Sequence, residues 1–175
     1  MKVKHLMTPH PVCCGSQANL AEATELMWSK DCGALPVVDD GKLTGILTDR
    51  DISIALGTRN VPAAGIAAGE VATHEVKTCN PGDDVHEAMA LMRRAKVHRL
   101  PVVNERGELV GMLALNDLIL AAERKHGEID YEEVMNTVKA ISEHRGHGQA
   151  RTETAKPEAA TPEKITFPRI PVVVA

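Results

Sequence analysis

Four consecutive residues, Thr48 to Asp51, bring a hydroxyl, two carboxylates and a guanidinium to the junction between a β-prone run and a helical one. The N-terminus of a helix offers free backbone N–H groups and the positive end of the helix dipole, which together suit a phosphate. The Thr48 hydroxyl and the Arg50 guanidinium could each donate further hydrogen bonds to that phosphate. The Asp51 carboxylate, one turn on, could accept hydrogen bonds from both hydroxyls of a ribose diol.

The same residues also fit a role that needs no ligand. Thr48 and Asp51 have the spacing of a capping box, in which the N-cap hydroxyl and the carboxylate at N3 each accept the other residue's backbone N–H. On local sequence alone the capping box is the more common of the two interpretations, and a cap is compatible with ligand binding. The organisation of the whole chain must therefore decide between them.

The elements around this motif occur twice. The segment CGSQANLAEATELMWSKDCGALPVV, which begins at Cys14, aligns without a gap with CNPGDDVHEAMALMRRAKVHRLPVV, which begins at Cys79. One extra residue enters the second turn, after which GKLTGILTDRDI from Gly41 aligns with GELVGMLALNDL from Gly107. An internal repeat of this kind predicts a duplicated supersecondary unit.

Each repeat predicts the element order β-α-β-β-α. A short β-prone stretch comes first, at Val12–Cys13 and again at Val76–Thr78, and an apolar helical periodicity follows it. The N-cap residue and returning carboxylate of that helix are Asn19 with Glu22 in the first repeat and Asp84 with Glu87 in the second. Two strands around a tight turn come next, and a second helix closes each unit, at DRDISIAL and at LNDLILAAE.

Composition divides the chain into four parts. We expect the first repeat at 1–62, the second repeat at 63–125, a partly helical extension at 126–145 and a disordered tail at 146–175, with the small-residue linker VPAAGIAAG joining the repeats. Within the extension, Val134, Val138 and Ile141 share one side of a predicted helix that begins at Tyr131. The tail is rich in Gly, Thr, Ala, Pro, Glu and Lys, which cannot bury enough apolar surface to order themselves.

The closing helix of the second repeat is apolar almost all round, because residues 118–122 read LILAA. Such a helix is buried on more than one side. Inside a unit of this size one side faces the sheet and the other needs a partner. This pattern predicts packing between repeats and between chains, and hence a homodimer.

Two β-α-β-β-α units, each with LPVV, a Gly turn and a closing Asp, resemble a CBS-domain pair, also called a Bateman module. The resemblance covers roughly Lys2 to Lys125. It implies an α/β (α+β) fold of two tandem CBS repeats related by a pseudo-two-fold axis, followed here by the C-terminal helix and the tail. Members of this family are typically not enzymes. They bind AMP, ADP, ATP or S-adenosylmethionine between two repeats and signal to a partner, which here would be an effector protein acting in trans.

The resemblance also assigns roles at the helix junctions. The family motif Gly-h-x-Thr-x-x-Asp is matched by Gly45, Thr48 and Asp51, which makes the first repeat the phosphate- and ribose-binding partner. The second repeat has Ala114-Leu115-Asn116-Asp117 at this place, so the ribose carboxylate is kept as Asp117 and the hydroxyl is lost. We therefore expect a weaker or empty second site, where Asn116 fits a helix cap.

The repeats also differ at the start of the second predicted strand, where only the second repeat has basic residues. The second repeat carries His98-Arg99 where the first has Gly33-Ala34, and in the family a basic pair here often reaches ligand phosphates. We therefore expect one composite site, against the plainer possibilities of a surface salt bridge for Arg99 and a satisfied, partly buried His98. By resemblance, one adenine base would be surrounded by Val12, Ala34, Pro36 and Ile46, and the other by Lys77, Arg99, Pro101 and Met112. Residues of these types are also common at the edge of an ordinary core.

The composition excludes several classes of partner. The chain has 175 residues, a formal net charge of −4 and one each of Trp, Tyr and Phe, so neither the basic face nor the stacking platforms of a nucleic-acid binder are visible, which leaves open only a local basic patch. No apolar run approaches the ~20 residues that span a bilayer, and the start MKVKHLMTPHPV lacks the apolar segment of a secretory signal. We therefore expect no nucleic-acid or membrane partner and a cytoplasmic location.

Catalysis finds little support in these residues. No nucleophile–base pair, metal-ligand cluster or Walker-type loop is recognisable, so we expect no enzymatic activity, no metal and no required cofactor. A structural pairing module with vestigial clefts is the second interpretation. A thiol switch is a further one, and it would need a low pKa and exposure at Cys13 or Cys14.

Overall fold

The computed structural model describes residues 1–123 and 128–143, which form a mixed α+β fold with five α-helices and antiparallel strand pairs. The first repeat contains α1 (Leu20–Ser29), β2 (Ala34–Asp39), β3 (Lys42–Thr48) and α2 (Asp49–Arg59), and the strand β1 (Thr8–Pro9) precedes it. The second repeat contains α3 (Val85–Ala95), β4 (Arg99–Val103), β5 (Leu109–Ala114) and α4 (Leu115–Ala121), and α5 (Tyr131–Ser142) follows it. Short 3₁₀ turns lie at Val3–His5, Ala63–Gly65 and Ala68–Glu70.

The caps of the two leading helices differ. The predicted capping box of α1 is confirmed: Glu22 N–H donates to Asn19 Oδ1 at 3.0 Å, and Asn19 N–H donates to the Glu22 carboxylate at 3.1 Å. Asp84 caps α3 by accepting from His86 N–H at 3.0 Å, but the return bond predicted from Glu87 is wrong. The N-terminal segment of the chain runs along this cap, where Val85 N–H donates to the carbonyl of Met1.

The opening strand of each repeat is shorter than predicted. The stretches at 12–13 and 76–78 form no strand, and a single parallel bridge replaces each of them: Cys14 with Val37 and Cys79 with Val102. Turns follow both bridge residues at once, as in the bond from Ala18 N–H to the carbonyl of Gly15. The pairing therefore ends after one residue.

Each hairpin pairs with a short segment from the other repeat. β1 pairs with β5 in the second repeat, with Thr8 opposite Met112. Thr73, in the leading segment of the second repeat, bridges Ile46 in β3 through two backbone hydrogen bonds of 2.9 and 3.0 Å. The two repeats therefore exchange their leading segments, and the boundaries at 62 and 125 stay a prediction.

Each repeat has its own apolar core. The first is built around Leu20, Leu35 and Leu47, and it also buries Ile66 and Ala68 of the linker. The second buries Val3 from the N-terminus among the side chains of its own helices and strands, which include Leu100, Leu113 and Leu118. Both cores are thus sealed by the exchanged segments.

The predicted C-terminal helix is confirmed as α5. Val134 and Ile141 are buried against the second core and Val138 is partly buried there. On α4, Leu118 is buried while Leu120 is 86% exposed, so the burial predicted for that outer side stays a prediction. The predicted disordered tail at 146–175 lies outside the described residues. None of the helices in the described part combines the length and apolarity that a membrane crossing requires.

Candidate functional site

The hairpin of the first repeat turns one face away from its core. Ala34 pairs with Thr48 and Pro36 pairs with Ile46, so these four side chains share a face. The alternate residues Leu35, Val37 and Leu47 point into the first core and are fully buried. The proposed base-contacting residues of this repeat therefore lie on the same surface as the Thr48 hydroxyl, apart from Val12, which packs against the edge of the core.

The second hairpin presents an equivalent face. Arg99 pairs with Ala114 and Pro101 pairs with Met112, which places these side chains opposite the core-facing Leu100. Lys77 lies outside this hairpin and is exposed. The second face thus carries a guanidinium at the position where the first carries the small side chain of Ala34.

The two faces meet between the repeats. Ala34 and Met112 are buried, with exposed fractions of 8% and 9%, yet neither belongs to one of the two cores. At the turn ends, Leu43 N–H donates to the carbonyl of Gly107 at 3.3 Å. At the other end, the Arg99 guanidinium approaches Gly33. These contacts place the proposed ligand-binding surfaces of the two repeats against each other.

The Thr48–Asp51 junction is a complete capping box. Asp51 N–H donates to Thr48 Oγ1 at 3.2 Å, while Thr48 N–H and Oγ1 donate to Asp51 Oδ2 at 3.1 and 2.6 Å. The hydroxyl proton of Thr48 is therefore already used. Asp51 Oδ1 accepts no hydrogen bond from residues 1–123 or 128–143, which leaves one carboxylate oxygen for a hydroxyl of a ligand.

The first turn of α2 is acidic. Arg50 N–H donates to Asp49 Oδ1 at 2.7 Å, Asp49 N–H donates to the Gly33 carbonyl and Asp51 N–H donates to Thr48, so all three N–H groups of the first turn already have acceptors. Two carboxylates beside these groups oppose a phosphate at the same place. Arg50 itself is exposed. The phosphate role predicted for this terminus is less favourable than the ribose role of Asp51.

Arg99 crosses from the second repeat to this junction. A Cβ built on Gly33 would lie 3.0 Å from Asp49 Oδ2 and 3.9 Å from Arg99 Nη2. The guanidinium forms no ion pair with any residue that the structure describes. The side chains of Arg99 and His98 are both exposed. Gly33, which lacks a side chain, leaves a space that the Arg99 guanidinium of one repeat and the Asp49 carboxylate of the other both border.

Asp49 borders the candidate site, and sequence reasoning assigned it no role. It lies inside the Thr48–Asp51 motif, and the signal that marks it is its counterpart in the second repeat, the apolar Leu115. Leu115 N–H donates to the carbonyl of His98 at 2.8 Å, as Asp49 N–H donates to that of Gly33 at 3.3 Å. The backbone frame is thus shared, and only the first repeat adds a charge to it.

The second junction has a simpler cap. Ala114 is the N-cap of α4, and its N–H donates to Asp117 Oδ2 at 2.8 Å. The prediction that Asn116 caps the helix is wrong, because α4 begins at Leu115 and Asn116 lies within its first turn. Asp117 is half-buried and keeps the place of Asp51 without a neighbouring hydroxyl.

The CBS-domain family model matches this chain twice, at residues 3–57 and 68–124. The chain belongs to the CBS-domain family. Its tandem CBS repeats are similar to the CBS domain-containing protein YhcV of Bacillus subtilis, with 36% identity over 116 residues, 66% of this chain and 81% of the relative. They are also similar to Hypoxic response protein 1 of Mycobacterium tuberculosis, with 32% identity over 116 residues, 66% of this chain and 80% of the relative.

Two solved CBS structures with ligands resemble this CBS pair. The CBS domain pair of MJ0100, in complex with 5-methylthioadenosine and S-adenosylmethionine, has a TM-score of 0.63 and 26% identity. CBSX2 in complex with AMP has a TM-score of 0.60 and 26% identity. Each comparison covers 69% of this chain and 94% of the other chain.

The cysteines of the CBS pair differ in environment. Burial raises the pKa of the Cys79 thiol to about 12, with a further contribution from the charge of Asp83. Burial, and then the neighbouring Cys13, also raise the pKa of Cys14, which argues against Cys14 as a thiol switch. Cys13 is exposed. Within the described ranges, no three His, Cys, Asp or Glu side chains come together as metal ligands.

Proposed function

We propose that this CBS pair is a non-catalytic regulatory module that binds an adenine nucleotide between its repeats and signals to an effector protein in trans. One observation carries the proposal. The Arg99 guanidinium of the second repeat reaches the Gly33 gap beside Asp49, and Asp51, whose Oδ1 accepts no hydrogen bond from the described residues, lies in the same first turn of α2. A nucleotide needs both groups, because its phosphate is an anion and its ribose is a diol.

In this proposal, residues of both repeats contact different parts of the nucleotide. Asp51 Oδ1 accepts from a ribose hydroxyl, while Oδ2 stays in the capping box. The apolar face formed by Ala34, Pro36 and Ile46 packs against the adenine, in a chain that has few aromatic side chains to stack on it. Arg99 binds the phosphate. Assigning the phosphate to Arg99, rather than to the N-terminus of α2, keeps it away from the acidic first turn of that helix.

The basic pair favours a phosphate over a sulfonium. His98 and Arg99 are both exposed at the cleft end of β4, and a positively charged S-adenosylmethionine would be repelled by Arg99. We therefore rank AMP, ADP and ATP above S-adenosylmethionine as ligands. The solved CBS pairs with AMP and with S-adenosylmethionine support an adenosyl ligand in general.

The second site is the weaker of the two in this proposal. Asp117 retains one free oxygen for ribose, since only Oδ2 accepts from Ala114 N–H among the described residues. The facing position in the first repeat is Ala34, which offers no cation where the first site has Arg99. A ligand phosphate at the second site therefore lacks a counter-charge from the opposite hairpin.

The alternative function is a pairing module without a physiological ligand. It is favoured by one observation: the capping box at Thr48 is complete without any ligand. In both proposals the chain forms a homodimer, for which the exposed Ile119 and Leu120 on α4 supply an apolar surface.

A thermal-shift titration separates the two functions. The full chain is melted with AMP, ADP, ATP and S-adenosylmethionine, and ligand at 100 times its dissociation constant adds ~2.7 kcal/mol of stability. Asp51→Ala is expected to abolish the nucleotide shift. Glu22→Ala is the matched control, because it removes the equivalent carboxylate of the α1 capping box, which is not part of the proposed site. No shift with any of the four ligands at millimolar concentration would leave the pairing module as the better account.

A further inference from the structure

The Asp49 carboxylate at the start of α2 has one oxygen without a partner. Its Oδ1 accepts from the Arg50 N–H at 2.7 Å, and among the described residues this is the only hydrogen bond of the carboxylate. The other oxygen, Oδ2, lies 3.0 Å from the point that a Cβ on Gly33 would occupy. Asp49 also forms no ion pair within the described part of the chain. A carboxylate therefore borders the Gly33 gap without a counter-charge of its own.

Arg99 of the second repeat borders the same gap from another side. Its Nη2 lies 3.9 Å from the same point beside Gly33, yet Arg99 and Asp49 are not within ion-pair distance of each other. The gap thus separates one cation from one anion. A phosphate bound to Arg99 has the Asp49 carboxylate across this space.

The number of phosphates decides how strongly this carboxylate opposes a nucleotide. A phosphate monoester such as that of AMP carries about −1.5 to −2 charges at neutral pH, and the Arg99 guanidinium offsets part of this charge. Each further phosphate of ADP or ATP adds negative charge and gains no second cation from the cleft face of β4. Arg50 and His98 are the other basic side chains at this junction, and both are exposed to screening by solvent ions. Repulsion from Asp49 therefore grows from AMP to ATP.

The second repeat shows that the fold does not need a carboxylate at this position. Leu115 takes the place of Asp49, and its N–H donates to the carbonyl of His98 as the Asp49 N–H donates to that of Gly33. The backbone of the junction is thus held in the same way by a residue with an apolar side chain. In α2 the carboxylate bonds only the N–H of the next residue, so its structural contribution is local. The charge of Asp49 is therefore free to act on a ligand.

We propose that Asp49 is a specificity-determining residue of the nucleotide site, which admits the single phosphate of AMP and disfavours the longer phosphate chains of ADP and ATP. Arg99 holds the first phosphate on its own side of the gap, while Asp49 repels the phosphates that follow. Asp31, which lines the groove at Gly33 together with Asp49, adds a second carboxylate on that side. The proposal rests on the nucleotide binding proposed above and narrows the ligand to a nucleoside monophosphate.

Calorimetric titration with AMP, ADP and ATP measures this preference. The full chain and Asp49→Asn are titrated in a buffer that contains EDTA, so that no divalent cation masks the phosphate charges. We expect the native chain to bind ATP at least tenfold more weakly than AMP, with ADP between them. In Asp49→Asn the ratio of AMP affinity to ATP affinity should fall at least fivefold. Asparagine keeps an acceptor for the Arg50 N–H and removes the charge.

Two further variants separate repulsion by the carboxylate from a structural effect. Asp40→Asn makes the same charge change at an exposed carboxylate in the β2–β3 turn and should keep the native ratio. Asp49→Glu retains the charge on a longer side chain and should keep the preference for AMP. A purely structural role of Asp49 in the first turn of α2 would instead change the affinities for all three nucleotides by the same factor and leave their ratio unchanged.

The possible results distinguish this proposal from the function on which it rests. If AMP binds and the ratio is the same in the native chain, Asp49→Asn and Asp40→Asn, Asp49 does not select the ligand and this proposal alone fails. A native chain that binds ATP as tightly as AMP would also overturn it and leave nucleotide binding intact. If none of the three nucleotides binds the native chain, the proposed function fails and this inference fails with it.

Discussion

Arg99 Nη2 of the second repeat lies 3.9 Å from the position that a Cβ on Gly33 of the first repeat would occupy. The same position is 3.0 Å from Asp49 Oδ2, so a side chain at residue 33 would enter the space between a cation and a carboxylate. In the second repeat the equivalent residue is His98, and the fold therefore has a gap on one side of its pseudo-two-fold axis only.

Filling this gap tests its role in ligand binding. Gly33→Val is expected to weaken nucleotide binding at least tenfold, because the added methyl groups displace Asp49 and obstruct Arg99. Gly82→Val is the matched control, since a Cβ there meets nothing within 4 Å. Isothermal titration calorimetry gives both affinities, and equal values for the two variants would contradict a ligand at the gap.

The capping boxes give a prediction about stability. Thr48→Ala is expected to destabilise the protein by ~1 kcal/mol, because Asp51 N–H then loses its acceptor at the N-cap. Ala114→Thr is expected to stabilise by a similar amount, since Asp117 already bonds the N-cap N–H and only the hydroxyl is missing. Urea unfolding of the two variants measures both changes, and changes of the same sign would contradict this account of the caps.

Asp39 gives a prediction about pH. Hydrogen bonds from Ser16 N–H at 2.9 Å and Thr44 Oγ1 at 3.0 Å hold the pKa of its carboxyl below the ordinary value. The folded state therefore binds fewer protons than the unfolded chain, so this stabilisation is complete above the unfolded pKa of ~3.9 and is lost as the pH falls through the lower folded pKa. Urea unfolding of Asp39→Asn between about pH 2 and 6 should show a shallower loss of stability than the native chain. A native slope in Asp39→Asn would contradict the assignment.

The thiols should react in the order of their burial and pKa. Cys79, with a pKa of about 12, is expected to react more slowly than the exposed Cys13 toward a thiol reagent at pH 8. Cys14 should also lag, because its thiol is buried and its pKa is raised. Mass spectrometry of peptides during labelling measures the order. Simultaneous labelling of Cys13 and Cys14 would instead revive the thiol-switch interpretation.

The proposed dimer surface is tested at α4. Leu120 is 86% exposed, so Leu120→Asp should leave the free energy of unfolding of the single chain nearly unchanged. If the chain dimerises through α4, this variant should run as a monomer in light scattering while the native chain runs as a dimer. A native chain that is monomeric at micromolar concentration would exclude the homodimer.

Local sequence patterns predicted the local structure well. The capping boxes at Asn19 and Thr48, the two hairpins and the helix from Tyr131 are confirmed, because each is encoded within a few residues. The return bond predicted from Glu87 does not form, and a distant segment lies at this cap: Val85 N–H donates to the carbonyl of Met1, and Val3 N–H donates to that of Asp83. Patterns within a helix cannot show such a contact.

Contacts between the repeats could be predicted only in part. The pseudo-symmetry of the sequence correctly brings Arg99 near the α2 junction, since both copies have the same frame. It gives no sign that Thr8 completes the second hairpin or that Asp49 borders the Gly33 gap. The first relationship depends on the exchange of leading segments between the repeats, and the second on one residue, Asp49, that differs from its counterpart Leu115. Neither produces a periodic pattern in the sequence.

The most direct test of the proposed function is calorimetric titration of AMP into the full chain and into Arg99→Ala. Arg106→Ala is the control, because Arg106 is an exposed arginine in the β4–β5 turn and its loss changes the net charge equally. The account predicts saturable binding of AMP to the native chain and to Arg106→Ala, and at least tenfold weaker binding to Arg99→Ala. Equal affinities in all three proteins, or no binding to the native chain, would contradict a nucleotide site shared between the repeats.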